Sequence, residues 1–164
     1  ATDDTPLDVD GLILSAPAVW GGRHMNSFYR LTLWLTSTIA PGWTLSPSGL
    51  DIWPSDNIEM LRAFSADPLV IKVTRTDAIA GLVNLMDKAL AAAPELEQEI
   101  LLLAGDKDQI VPTGAIDDFA SRLNPTTMTT IRYPDGFHML LRDLQRDNVY
   151  ADIDAWIDRG RADR

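Results

Sequence analysis

"LLLAGDKDQIVP", residues 101–112, is the stretch from which the rest of the chain can be read. With Glu99 and Ile100 before it, the run "EILLLAG" is apolar throughout, as strands covered on both faces of a sheet are. It stops abruptly at Gly105, Asp106 and Asp108. Further on, "MTTIRYPDG" reads as another strand ended by a Pro–Asp–Gly turn, and the loop behind it, "YPDGFHMLL", carries His138, one of two histidines in the chain. Upstream, "VDGLILSAP" is a short apolar run closed by Ser15, Ala16 and Pro17, which reads as a buried strand.

Helical periodicity fills the intervals between these runs. "TDAIAGLVNLMDKALAAA" places Ile79, Leu82, Val83, Met86 and Leu90 on one face. "PTGAIDDFASRLNP" aligns Ile116, Phe119, Ala120 and Leu123, with Thr113 as the expected cap and Asn124–Pro125 as the stop. "DNVYADIDAWIDRG" aligns Val149, Ile153, Trp156 and Ile157 and is expected to stop at Gly160. Strands alternating with helices predict an α/β fold with a parallel sheet of about three strands.

The region from Trp20 to about Val70 breaks the alternation. It holds Trp20, Trp34, Trp43 and Trp53 with Phe28, Tyr29 and Phe64, and its turn signals "APGW", "LSPSG" and "WPSD" are dense. It reads as an insertion of short helices and loops, either a lid over an apolar site, with Trp20, Phe28, Trp34 and Trp53 as candidate substrate-lining residues, or a satellite core packed on the body. The expected division is residues 1–19 for the first core strand, 20–95 for the lid insertion and crossover helices, and 96–164 for the C-terminal core with the aspartate and histidine loops.

Bulk properties narrow the function. The chain has 164 residues, 46% hydrophobic and 23% charged, the composition of a globular domain. Its net charge of −10 disfavours nucleic-acid and anionic-membrane partners. With no cysteine there is no disulfide, thiolate nucleophile or cysteine-ligated metal. No secretory signal is visible, and "SFYRLTLWLTSTIAPGW" is too short and polar to span a membrane, so a soluble protein is expected, with the cytoplasm the favoured compartment.

In open parallel sheets, functional groups gather at the carboxyl ends of the strands. A helical crossover between adjacent strands brings the Asp108 and His138 loops side by side, and an aspartate bonded to one imidazole nitrogen orients a general base for acyl transfer. Taken singly, a strand-end aspartate reads equally as a turn residue, and a loop histidine as an ordinary surface residue. "GGRH", residues 21–24, reads as a flexible entry to the insertion or as an anion-binding turn with His24 as an alternative base.

Together, "DGLILSAPA", "FSADPL", "ILLLAGDKDQIVP", "YPDGFHMLLRD" and "IDAWI" resemble the back half of an α/β hydrolase, most closely the monoacylglycerol lipase and lysophospholipase group of serine hydrolases. The resemblance implies that Asp108, in a G-x-x-D-x-x-V-P segment, is the triad acid and His138 the base. "GFH" has one residue fewer than the family's G-x-x-H. The nucleophile elbow G-x-S-x-G occurs nowhere in the chain, and Ser15 in "LSAPA" lacks the glycines an elbow requires.

What the resemblance implies is therefore part of a serine esterase acting on a lipid-like ester, with no metal or organic cofactor. The serine is expected from an N-terminal half carrying G-x-S-x-G, and this chain alone is expected to be inactive. The first strand would then be an open apolar edge inviting pairing, with that half or with a second copy. The alternative is a non-catalytic binding or interaction module of the same fold.

Overall fold

The computed structural model describes residues 8–46 and 49–162. The start of the first expected segment, and Pro47 and Ser48 of the "LSPSG" turn signal, lie outside the described residues. The elements follow as β1 (Gly11–Ser15), α1 (Ser27–Ile39), β2 (Thr44–Leu45), α2 (Ile58–Ala66), β3 (Thr74–Arg75), α3 (Thr76–Ala92), β4 (Glu99–Gly105), α4 (Thr113–Arg122), β5 (Met128–Tyr133) and α5 (Arg146–Ala162). Single 3-10 turns lie at Ala93–Glu95 and Leu140–Arg142.

The principal sheet has the order β1-β4-β5, all parallel, with Leu14 opposite Leu102 and Leu102 opposite Thr130. The central strand explains its own composition. Ile100, Leu101, Leu102 and Leu103 are each 0% exposed, because successive side chains of β4 enter cores on opposite faces. Ile100, Leu102 and Ala104 join Leu90 of α3 and Ile116 and Phe119 of α4. Leu101 and Leu103 meet Tyr133, Leu140 and Val149, with Ile153 and Trp156 of α5 packed alongside. Each such leucine contributes roughly 1.5–3 kcal/mol by leaving water. The result is three layers, helix–sheet–helix, with β4 buried between the other two.

Helix limits depart from expectation in two places. Thr113 is the first residue of α4 rather than its cap; Pro112 holds the N-cap position, and no side chain caps this helix. Gly160 does not end α5, which continues to Ala162, because an exposed glycine in a last turn lowers helical stability without forbidding the conformation. On α3, Leu90 is buried but Leu82 is half exposed, so the inward stripe is narrower than the sequence periodicity suggests.

The insertion contains α1 and α2, neither of which has a buried residue. It also forms a two-stranded antiparallel ribbon, β2 with β3, which sequence reading did not anticipate. Its order comes from polar ties. Asn26 Oδ1 accepts from Phe28 N–H at 2.8 Å and Asn57 Oδ1 from Met60 N–H at 3.1 Å, capping the two helices. Buried Thr76 donates its hydroxyl to Ala40 C=O at 2.9 Å and its N–H to Trp43 C=O at 2.8 Å, joining the end of α1 to the start of α3. The insertion's aromatics do not cluster. Among the described residues the one ring pair is Phe28–Tyr29, edge-on with centroids 6.0 Å apart. No helix among the described residues is long and apolar enough to cross a membrane.

Candidate active site

Strands β4 and β5 end at Gly105 and Tyr133, and the two following loops dock through main chain. Asp106 N–H donates to Tyr133 C=O at 3.0 Å and Lys107 N–H to Gly136 C=O at 2.9 Å, while Gly136 N–H closes its own turn on Tyr133 C=O at 2.9 Å. A Cβ on Gly105 would lie 2.3 Å from the Gly136 carbonyl oxygen, so this approach requires glycine. That is the physical reason the apolar run of β4 ends on Gly105. An ion pair, Lys107 Nζ to Asp135 Oδ1 at 2.5 Å, spans the same two loops at the surface.

Docked in this way, the loops bring Asp108 and His138 together. Asp108 Oδ1 accepts from Ile110 N–H at 2.7 Å and Val111 N–H at 2.9 Å, an Asx turn that fixes the carboxylate. Its Oδ2 lies 2.9 Å from His138 Nδ1. The Asp108 side chain is 4% exposed and that of His138 27%, so the bond is shielded while the ring reaches the surface. A carboxylate has no proton to give, so Nδ1 carries the hydrogen of this bond, and in the neutral ring Nε2 is left with its lone pair. This arrangement can take a proton at Nε2 and hold the resulting imidazolium against Asp108.

Asp106, in the same turn, faces elsewhere. It pairs with Arg132 at 2.7 Å, which also reaches Asp117 at 2.8 Å, and the Asp106 hydrogen bond raises the Arg132 pKa above its ordinary value. Ser15 ends β1, and the left-handed residue at that strand end is Ala16, with φ of 43°. The "GGRH" turn does bind a carboxylate, but an internal one: Gly22 N–H donates to Asp87 at 3.0 Å and Arg23 N–H at 3.4 Å. His24 Nε2 lies 3.4 Å from Asp118 Oδ2, away from the Asp108–His138 pair.

The four aromatic candidates separate. Trp20 packs against the core cluster of α3 and α4. Phe28 and Trp34 lie on α1, 70% and 62% exposed. Trp53 is half exposed, with its indole N–H on Asp51, and its backbone N–H donates to Gln109, the residue after Asp108. Sequence reading missed Gln109, Ser55 and Asp143, all of which tie the insertion to the two loops across separations of 56 residues or more. Single polar contacts distinguish them, a buried side-chain pair for Ser55 and Asp143 and an exposed bond from backbone for Gln109, and spacing carries no trace of either.

Solved structures share this architecture. The chain superposes on the monoacylglycerol lipase of Paleococcus ferrophilus with a TM-score of 0.78 at 23% identity, covering 93% of this chain and 60% of that one. For a soluble variant of the Saccharomyces cerevisiae monoglyceride lipase, in complex with a substrate analog, the values are 0.73 and 16%, over 92% and 56%. A curated monoacylglycerol lipase of Mycolicibacterium smegmatis is 24% identical over 153 residues, 93% of this chain and 54% of that protein. The chain thus spans about half the length of the curated relative. The fold is that of the α/β hydrolases, and residues 1–145 match the family described as "Serine aminopeptidase, S33". On that match, the chain belongs to this family of serine hydrolases.

Proposed function

We propose that this chain supplies the acid, Asp108, and the general base, His138, of a serine carboxylic-ester hydrolase of the monoacylglycerol lipase or lysophospholipase kind. One observation carries the reading: the 2.9 Å bond from His138 Nδ1 to a carboxylate already fixed by two backbone N–H groups. In the reaction, Nε2 takes the proton from a serine hydroxyl as its oxygen attacks the ester carbonyl. The tetrahedral intermediate collapses to an acyl-enzyme, and His138 returns the proton to the departing alcohol. Water, deprotonated by the same nitrogen, releases the acid and regenerates the serine.

The serine would come from a segment carrying G-x-S-x-G that pairs along the open edge of β1. Among the described residues β1 pairs only with β4, and Ile13 in its middle is 39% exposed. Self-association through that edge is the competing use of the same surface. In this reading residues 1–19 and 96–164 carry the catalytic core, and residues 20–95 carry the insertion. The exposed Phe28, Trp34 and Trp53 are the residues proposed to meet an acyl chain, and the net charge of −10 favours a neutral or zwitterionic ester.

The test is labelling with a fluorophosphonate probe and turnover of a monoacylglycerol by the full-length protein, with and without His138→Ala. Loss of about four or more orders of magnitude in turnover, with folding intact, is expected of a general base. Turnover that survives the substitution excludes the assignment. Folded protein that neither takes the probe nor turns over ester points instead to a binding module.

A further inference from the structure

We propose that Asp143 is a positioning residue for His138, and that with Ser55 it couples the geometry of the acid–base pair to the insertion. The proposal rests on the reading of His138 as the base. Asp143 and Ser55 are both 0% exposed, and a buried carboxylate must find donors or lose the stability its hydration would supply. It finds two. Oδ1 accepts from the Ser55 hydroxyl at 2.6 Å, and Oδ2 from Phe137 N–H at 2.8 Å. Phe137 immediately precedes His138. The residue after it, Met139, donates its N–H to Pro54 C=O at 2.9 Å. The N–H groups of the residues on either side of His138 are therefore each held, that of Phe137 by Asp143 directly and that of Met139 by the residue preceding Ser55.

The segment that provides this hold, residues 53–57, also reaches the acid. Trp53 N–H donates to Gln109 Oε1 at 2.9 Å, next to Asp108. Asn57 continues the connection outward: its N–H donates to Ser55 Oγ at 3.2 Å, its amide to Arg142 C=O at 3.1 Å, and its Oδ1 caps α2. Asp56 Oδ1 accepts from Leu144 N–H at 2.8 Å. A shift of α2 is thus transmitted through Asn57 and Ser55 to the backbone that aims the imidazole. Hydrogen bonds to an ionised group are short and directional, which suits Asp143 to fixing a neighbour.

The experiment uses the full-length protein carrying Asp143→Leu, Asp143→Asn or Ser55→Ala. Turnover of p-nitrophenyl butyrate is measured per fluorophosphonate-titrated site, and the low-field Nδ1–H resonance of His138 is followed by NMR. Asp143→Leu is expected to lower kcat about 10²-fold with KM little changed, as for a small misplacement of a reacting group, and to abolish the resonance. Asp143→Asn keeps an acceptor for Phe137 and can donate to Ser55 Oγ, so it is expected to recover most of kcat. Ser55→Ala is expected to cost about tenfold.

A purely structural role would lower the melting temperature but leave kcat per titrated site and the resonance intact, and that result overturns the proposal. If Asp143→Leu does not fold, an unchanged kcat and resonance in Ser55→Ala overturn it equally. His138→Ala separates the two readings. Turnover surviving that substitution removes the base assignment, whereas its loss beside a fully active Asp143→Leu removes only the positioning role.

Discussion

The central sheet and the insertion are built on opposite principles. In β4, four consecutive side chains are 0% exposed, and the strand is held by apolar contact on both faces. In α1 and α2 no residue is buried, and Phe28, Leu31, Trp34 and Ile39 stand at 60% exposure or more. Yet the insertion is as regular in its hydrogen bonds as the core, with both helices capped and Thr76 doubly tied. The core thus derives its order from burial, while the insertion derives it from directed polar contacts and leaves its apolar side chains to face outward. Side chains that face outward in this way can be replaced without disturbing the fold.

Substitutions can break this comparison. Leu102→Ala, in the middle of β4, should destabilise by about 2–5 kcal/mol in denaturant unfolding, whereas Trp34→Ala on α1 should stay within about 0.5 kcal/mol while changing the KM for long-chain esters. Comparable stability losses from the two would show that α1 is part of the core. Gly105→Ala should cost about 1–3 kcal/mol and reduce turnover, because its Cβ meets backbone that cannot move aside as a side chain can. Asn57→Ala, which removes a cap, should cost about 1 kcal/mol by thermal unfolding.

The smallest effect is confined to alkaline pH. Burial, with the hydrogen bond to Asp152 at 2.8 Å, raises the Tyr133 pKa well above its ordinary value of 10.0. A raised folded-state pKa leaves its contribution intact below the unfolded value and removes it as pH climbs from there toward the folded one. Stability should therefore fall with pH above about 10, and the fall should be shallower in Tyr133→Phe. Equal slopes in the two proteins would mean that the Tyr133 hydroxyl is solvated in the fold.

The same contrast explains what could be read in advance. The three strands of the principal sheet, helices α3, α4 and α5 and the meeting of Asp108 with His138 were legible because burial leaves apolar runs and 3.6-residue stripes in the order of residues. The β2–β3 ribbon was not, since two residues on each side, thirty apart, leave no periodicity. Leu82 was placed inward by its spacing, although its neighbours on α3 bury only a narrower stripe. The Ser55–Asp143 pair, 88 residues apart, depends on one hydroxyl meeting one carboxylate in the folded chain. Pattern reading senses repeated apolar contact and is blind to single polar ones.

The main-chain contact between Gly105 and Gly136 decides which side chains the two loops can exchange. Because Asp106 and Lys107 also dock through their own N–H groups, removing the surface Lys107–Asp135 ion pair should leave the distance from Asp108 to His138 unchanged. The two glycines are the positions that the contact itself requires. The short "GFH" segment is thereby held where the imidazole of His138 meets Asp108.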